Sequence, residues 1–494
     1  MRSLALVVAF AAPGFAQQLL ITRFGTQPNA QTGDRVVAAG GDLDGDSIPD
    51  FLVGSPTWGM GRVQVISGST WVTRTLIGTS PNGFGNAVLL CSPDMNNDGV
   101  RDIVLNRGAD LVAYSGATLA LLWQTPAIGF AAFESAAALG DIDNDGRGDL
   151  AATLYLGSGN YVLWTLRGLN GQQLQVGAGL NGSTRALVSL GDTNGDGRPE
   201  IARAQANANI EIYQTPPLPG LFSVSIATTE LAVANLVGSP LLELLAPSAG
   251  VLNVLSATNG AVLRTYPAPY TDDFAVVGDL NADGVPDLAL REQTGAPGEA
   301  VVFRSGSNGA VLSRWLGIPG FTCTELAGIG DVNGDGYPDL LIGDRGASAQ
   351  PLSGITTGGW QVVSGRIVAT MSSKPVNCYQ GPFPPLLGIT RPVLGQLALI
   401  EGREAPFGTV GFLGFSPQPT FPTSLGVVGC DAWFDPTNGL LLYQSTGSSW
   451  GFYFPVPLAP QLAGYAFALQ AFYAPTFSPI GIDLTNGVWG RFGF

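Results

Sequence analysis

The chemistry of this sequence is concentrated in one recurring segment. GDVNGDGYPDLLIG (330–343) places Asp331, Asn333, Asp335 and Asp339 within nine residues, and an apolar run follows at once. The same spacing occurs in five further sets: Asp42, Asp44, Asp46 and Asp50; Asp94, Asn96, Asp98 and Asp102; Asp141, Asp143, Asp145 and Asp149; Asp192, Asn194, Asp196 and Glu200; and Asp279, Asn281, Asp283 and Asp287. Positions one, three and five of a tight turn project to one side, and position nine returns to the same spot as the next strand begins. Without a counter-ion, carboxylates a few ångströms apart repel strongly. A hard divalent cation removes that repulsion. Ca²⁺ accepts roughly six to eight oxygens in flexible geometry. Side chains, a water and the position-seven backbone carbonyl (Ile48, Val100, Arg147, Arg198, Val285 or Tyr337) can supply them. Mg²⁺ suits the pattern less, because it demands stricter octahedral geometry and keeps its waters.

The segment is not an EF-hand, which needs a bidentate Glu at position twelve and flanking helices. Position twelve here is apolar (Val53, Ile342) and falls inside a strand. Position six is Gly in five loops and Ser47 in the first, as a sharp bend requires. The plainer reading, solvated surface acids, fails on distribution: six loops hold 20 of the 37 acidic residues in about a tenth of the chain.

The loops are also a ruler. Their first acids, Asp42, Asp94, Asp141, Asp192, Asp279 and Asp331, are separated by 52, 47, 51, 87 and 52 residues. The double interval contains a degenerate copy, ANLVGSPLLELLA, with Asn235 and Glu243 at positions one and nine but Val237 and Ser239 in the middle, and no metal is expected there. Seven copies 43 to 52 residues apart indicate a repeat architecture. Around each loop lie a small apolar strand (DRVVAAGG), a second apolar strand (DFLVG) and two alternating strands (GRVQVISG, WVTRTLIG) joined by a short turn. The last pair recurs as LVAYSGATLALL, VVFRSGSNGAVL and WQVVSGRIVATM. Four antiparallel strands repeated seven times predict an all-β, seven-bladed β-propeller. LLITRFG (19–25) reads as an outermost strand that fastens the last blade.

GFGNAVLL (83–90) and LVGSP (52–56), beside the acidic loops, resemble the two halves of FG-GAP (VCBS-type) repeats, which build the propeller of integrin α chains and of many secreted bacterial proteins. The resemblance covers residues 20 to 372. It implies the propeller and structural calcium, about six ions. It leaves the ligand open, because the family includes adhesion modules, lectin-like proteins and some polysaccharide lyases.

Net charge −15 makes nucleic acid and anionic membrane poor partners, and six bound Ca²⁺ would offset most of it. The chain has no His and a single Lys, Lys374, which excludes His-based triads, His general bases and His-ligated zinc; no enzyme is expected. Acids recur just before the first strand of the repeat (Asp34, Glu134, Glu230, Asp273, Glu325) and arginines after the second (Arg107, Arg203, Arg291, Arg345). Both positions fall on the propeller face opposite the acidic loops, with Trp58, Phe84, Phe133, Phe274 and Phe321 near them. This face is the candidate binding site for a glycan or protein; the plainer reading is that its acids and arginines pair across neighbouring blades.

The opening MRSLALVVAFAAPGFAQQ reads as a secretory signal peptide cut after Ala16, so the protein is expected outside the cell or on its surface. Three segments follow: signal 1–16, propeller 17–373 and a tail 374–494. The tail is rich in Pro and aromatics and alternates like a small β-sandwich. Cys378 and Cys430 both lie in it and are expected to form a disulfide, whereas Cys91 and Cys323 belong to separate blades and are expected as thiols. Three roles compete: a binding or adhesion module, a polysaccharide-active enzyme, and a structural component of an envelope or matrix.

Overall fold

The computed structural model describes residues 19–373 apart from short loop segments, and within 374–494 the strands and some flanking positions. The signal segment and Cys378 lie outside the described residues, as does the side chain of Cys430. Among the described residues every extended element is a strand.

Six four-stranded antiparallel sheets follow one another in chain order, spanning 35–77, 84–125, 132–181, 184–224, 232–267 and 274–316. A seventh sheet is ordered Leu19–Phe24, Gly359–Val363, Asp339–Asp344, Glu325–Gly330. The first strand of each blade lies against the first strand of the next, and that of blade seven (Glu325–Gly330) lies against that of blade one (Arg35–Ala38). The circle is therefore closed, and the molecule is the seven-bladed propeller that the loop spacing predicts.

Small side chains make the hub possible. The first strand of blade three, AFESAAALG, presents alanines and a serine where neighbouring strands converge. Larger side chains pack between blades, in clusters that each draw on two successive sheets. Phe84 joins Leu52 and Val63 of blade one to Ile103 of blade two. Phe51 and Val53 of blade one meet Leu341 and Trp360 of blade seven. Full burial of such a side chain stabilises by roughly 1.5–3 kcal/mol, and no single blade could bury these faces alone.

Ring closure is made by the N-terminal strand. Leu19–Phe24 pairs antiparallel with Gly359–Val363, Leu19 facing Val363 and Phe24 facing Gly359. Gly25 N–H donates to the Gly358 carbonyl at 2.8 Å, and Phe24 stacks edge-on against Phe321 at 5.3 Å. Blade seven thus takes one strand from the start of the described chain and three from some 300 residues later, which hides an edge that would otherwise be open.

The tail begins earlier than the composition shift implies, because Thr370–Ser373 pairs with Val488–Arg491 and not with the propeller. That sheet continues through Ala466–Ala474 and Val410–Pro417 to Leu440–Ser445, while Leu386–Ile389, Leu397–Arg403 and Trp450–Pro455 form a second. One apolar cluster contains Ile400 and Trp450 of the smaller sheet, Leu413 and Leu469 of the larger, and Phe303, Trp315 and Leu340 of blades six and seven. The tail is therefore packed on the propeller. Removing residues 19–24 should open blade seven, lowering the thermal midpoint by roughly 5 °C or more and exposing 356–363 to protease. Unchanged melting and proteolysis would mean that the ring closes without this strand.

Candidate functional site

Each acidic loop joins the first strand of a blade to its second and folds on backbone donors. In blade one, Asp42 Oδ1 accepts N–H bonds from Asp44 (3.0 Å) and Gly45 (2.6 Å), and Oδ2 accepts Ser47 N–H at 2.6 Å. Burial alone would raise the Asp42 pKa, but donors from Ser47, Gly45, Asp44 and Asp46 outweigh it and hold it below the ordinary value. The turn needs position six in the left-handed region: Ser47 has φ 70°, and Gly99, Gly146, Gly197, Gly284 and Gly336 lie at 85–87°. Blade five has Pro240 at this position, whose ring fixes φ near −65°. Its loop closes by other means: Asn235 donates to the Ser239 carbonyl, and the Ser239 hydroxyl donates to Glu243 at 2.7 Å.

Position nine is buried in every blade. Asp50, Asp102, Asp149, Glu200, Glu243, Asp287 and Asp339 are all at most 1% exposed. Asp102 Oδ2 accepts Met95 N–H (2.7 Å) from its own loop, and Oδ1 accepts Gly116 N–H (3.1 Å) from the turn between the third and fourth strands. Asp50 with Gly68, Asp149 with Gly168, Asp287 with Gly306 and Asp339 with Gly365 repeat this bridge. Burial, opposed by those donors and reinforced by neighbouring carboxylates, pushes Asp50, Asp102 and Asp149 up to about 6, and Asp287 and Asp339 up to about 7. The bridging glycines are required by close approach: a Cβ on Gly116 would collide with the Arg101 carbonyl.

The donor set fits a hard cation. Carboxylate oxygens of Asp42, Asp44 and Asp50 lie within 4.8 Å of one another, as do those of Asp141, Asp143 and Asp149. One Ca²⁺ with bonds of roughly 2.3–2.6 Å can touch all three. In the other loops position three is Asn, whose amide donates to the position-five carboxylate, for example Asn96 to Asp98 at 2.8 Å and Asn281 to Asp283 at 3.1 Å. The sequence reading missed the turn residues that close the site from the other side. Ser67 and Ser69 donate to Asp46, Ser115 to Asp98, Ser305 and Ser307 to Asp283, and Ser364 to Asp335. The recurring SG dipeptide of the third–fourth strand turn was the signal.

At the opposite ends of the first strands lies a cavity of about 550 Å³ at the hub. Glu134, Glu230 and Glu325 line it, together with Arg35 and Arg185, which the sequence reading had not singled out. Glu134 accepts Thr184 N–H at 2.9 Å. Burial, then the neighbouring Glu325 and Asp273 carboxylates, raises Glu230 well above the ordinary range, and its Oε2 is buried with no hydrogen-bond partner. Burial pushes Glu325 up to about 7, with Arg35 opposing and Asp273 adding.

The remaining candidates are distributed around this opening. Asp273 pairs with Arg291 at 2.6 Å within blade six, and Asp34 with Arg345 at 3.7 Å between blades one and seven. Arg203 is wholly enclosed, donating to Thr184 Oγ1, Glu211 and the Asn181 and Gly182 carbonyls. Trp58 lies under the Arg62 guanidinium at 4.5 Å, and Arg107 donates to Gln124; neither lines the cavity. Phe84, Phe274 and Phe321 are core side chains, at most 4% exposed, and offer no surface to a ligand.

Parts of this chain are similar to known proteins. Residues 35–72 match the FG-GAP repeat and residues 279–342 the FG-GAP-like repeat. A stretch of 82 residues is 35% identical to integrin alpha-7 of Mus musculus, and equally to that of Rattus norvegicus and Homo sapiens. The match covers 15% of this chain and 7% of the mouse relative. A crystal structure of BBS1N in complex with ARL6DN, soaked with mercury, aligns at TM-score 0.49 and 9% identity over 71% of this chain and 97% of that one.

Asp102→Ala would strand the Met95 and Gly116 N–H groups, and should cost about 3 kcal/mol in urea unfolding, at roughly 1–3 kcal/mol per buried unsatisfied donor. A loss below about 0.5 kcal/mol would remove position nine as the bridge. Glu325 gives a pH signature. Its folded value lies above the ordinary 4.5, so its stabilising contribution is full below pH 4.5 and is lost as pH rises through about 7. The calcium-saturated protein should lose stability across that window, and Glu325→Gln should flatten the slope. An identical slope in the variant would place the titration elsewhere.

Proposed function

We propose that this chain, a β-propeller of FG-GAP repeats, is a calcium-scaffolded extracellular binding module whose ligand docks at the hub cavity on the face opposite the acidic loops. The cavity carries this reading. A cavity of about 550 Å³ opens at the meeting point of the blades, lined by Arg35, Arg185, Glu134, Glu230 and Glu325 together with apolar strand residues such as Val37, Leu89 and Val188. Donors and acceptors of both signs among a few apolar side chains suit sugar hydroxyls or the polar side chains of a protein. A glycan or an extracellular protein is the ligand class that follows. The integrin alpha-7 likeness and the signal-like N-terminus support the location.

Calcium is assigned to scaffolding. The acidic loops pin one end of each first strand, and the cavity opens where the other ends meet. When bound, the ion supplies the positive charge that lets the clustered carboxylates stay ionised. The side chains at positions one, three, five and nine would hold it, position nine also tying the loop to the neighbouring turn, and Mg²⁺ would serve less well. The tail is read as a small β-sandwich that braces blades six and seven. A binder is favoured over a catalyst because the chain has no His, and carboxylate chemistry would have to draw on the cavity glutamates Glu134, Glu230 and Glu325.

Thermal unfolding of residues 17–494 should show a higher midpoint in excess Ca²⁺ than after chelation, restored by Ca²⁺ and poorly by Mg²⁺. Each site held at 100-fold over its Kd contributes about 2.7 kcal/mol. No shift would remove calcium from the reading. For the ligand, a glycan array and a panel of extracellular proteins are probed with wild type and with Arg185→Ala and Glu230→Gln. Binding that drops tenfold or more in both variants supports the cavity, and binding unaffected by either moves the site elsewhere. New reducing or unsaturated ends from a polysaccharide would replace the binder with a carbohydrate-active enzyme.

A further inference from the structure

The six acidic loops differ at one point that bears on how many ions the propeller takes. The residue just before the second-turn position that faces position nine reaches back into the loop of its own blade. In blades one, two, six and seven it is Ser67, Ser115, Ser305 or Ser364, and in blade four Gln214, each donating to the position-five carboxylate. In blade three it is Arg167. Its Nε lies 2.6 Å from Asp143 Oδ2 and 3.8 Å from Asp145 Oδ2. The inference rests on the calcium reading above: we propose that the Arg167 guanidinium is a built-in cation that takes the place of calcium in blade three, so that this blade binds no ion and the chain takes five where its six acidic loops imply six.

The chemistry of the loop gives the reason. Four loops carry Asn at position three, whose amide donates to the position-five carboxylate. Asp143 has no proton to donate, so Asp143 and Asp145 present two carboxylates side by side, and Arg167 sits against both. Asp143 is then spent: Oδ1 accepts Asp145 N–H at 3.1 Å and Oδ2 accepts Arg167. A divalent ion among Asp141, Asp143 and Asp149 would have to share Asp143 with a guanidinium and meet a like charge at close range. Arg147, the other arginine of this loop, points away and donates to the Met95 carbonyl in blade two.

Blade one is the internal control. Asp44 stands at its position three, yet hydroxyls and not a cation meet Asp46, so its four carboxylates keep their need for a metal. Blade five lacks acids at positions one, three and five, and its loop is closed by hydrogen bonds of Asn235 and Ser239. Blade three is a second metal-free solution, electrostatic where that of blade five is neutral.

The test counts ions on the full chain. Wild type, Arg167→Ser, Arg167→Gln and Ser115→Arg are dialysed against one fixed free Ca²⁺ concentration and weighed by native mass spectrometry, with circular dichroism confirming the fold. Arg167→Ser and Arg167→Gln should each gain one Ca²⁺ over wild type, and Ser115→Arg, which moves the guanidinium into blade two, should lose one. Asp143→Asn in the wild-type background should leave the count unchanged. No gain in either Arg167 variant overturns the proposal, as does an Asp143→Asn chain that loses an ion. Wild type without any bound Ca²⁺ overturns the calcium reading itself, which is a different failure.

Discussion

The organising constraint in this propeller is a carboxylate that each blade buries. Position nine is removed from water in all seven blades, and in five of them it is spent on two backbone N–H groups, one from its own loop and one from the next turn. A buried carboxylate is costly unless bonded and balanced, and here the bonds draw together two turns that the chain separates by 14 to 26 residues. The closely packed glycine of the second turn follows from the need to reach that one group, while the left-handed position six serves position one and the serines beside the glycine serve position five. In the five aspartate blades burial raises the carboxyl pKa although two backbone donors oppose it.

That arrangement divides the molecule into two ends. At one, acidic loops fix the exits of the first strands. At the other, the entrances of those strands meet around a cavity whose charged groups belong to different blades: Arg35 to the first, Glu134 to the third, Arg185 to the fourth and Glu325 to the seventh. Among the residues lining it are Ala87, Ala136 and Ala186, small side chains that leave space at the hub. Closure by Leu19–Phe24 and bracing by the tail fall on blade seven and its neighbour, where the ring has its seam.

Much of this was legible because spacing is a one-dimensional property. The interval between acidic loops gave seven blades, the degenerate copy at Asn235 included, and LLITRFG was readable as the fastening strand. What the linear pattern hid was anything made by two turns meeting. Nothing in SGST or SGAT says that its serine faces an aspartate some 20 residues away, and Arg167 is one more surface arginine until the third–fourth strand turn is folded against the loop. The phenylalanines assigned to the binding face illustrate the converse. Phe84 and Phe274 sit at strand starts near that face, but inter-blade packing needs large side chains there and takes them into the core.

The pairing of position nine with its partner turn shows how tightly the two are coupled. Where position nine is Asp, the facing turn residue is Gly: Gly68, Gly116, Gly168, Gly306 and Gly365. Where position nine is Glu, the residue at the equivalent turn position has a side chain, Thr215 in the blade of Glu200 and Ala257 in that of Glu243. A Cβ at the glycine position would strike the carbonyl of the residue before position nine, so turn and loop can no longer approach closely enough for the short aspartate bridge. Both glutamates turn inward instead. Glu200 takes Thr193 N–H and hydroxyl and the Asn194 amide, and Glu243 takes Leu236 N–H and the Ser239 hydroxyl. One added methylene lets the loop satisfy its own carboxylate without the neighbouring turn. The blade is then anchored from within, and blade five carries this furthest by giving up the acids at positions one, three and five altogether.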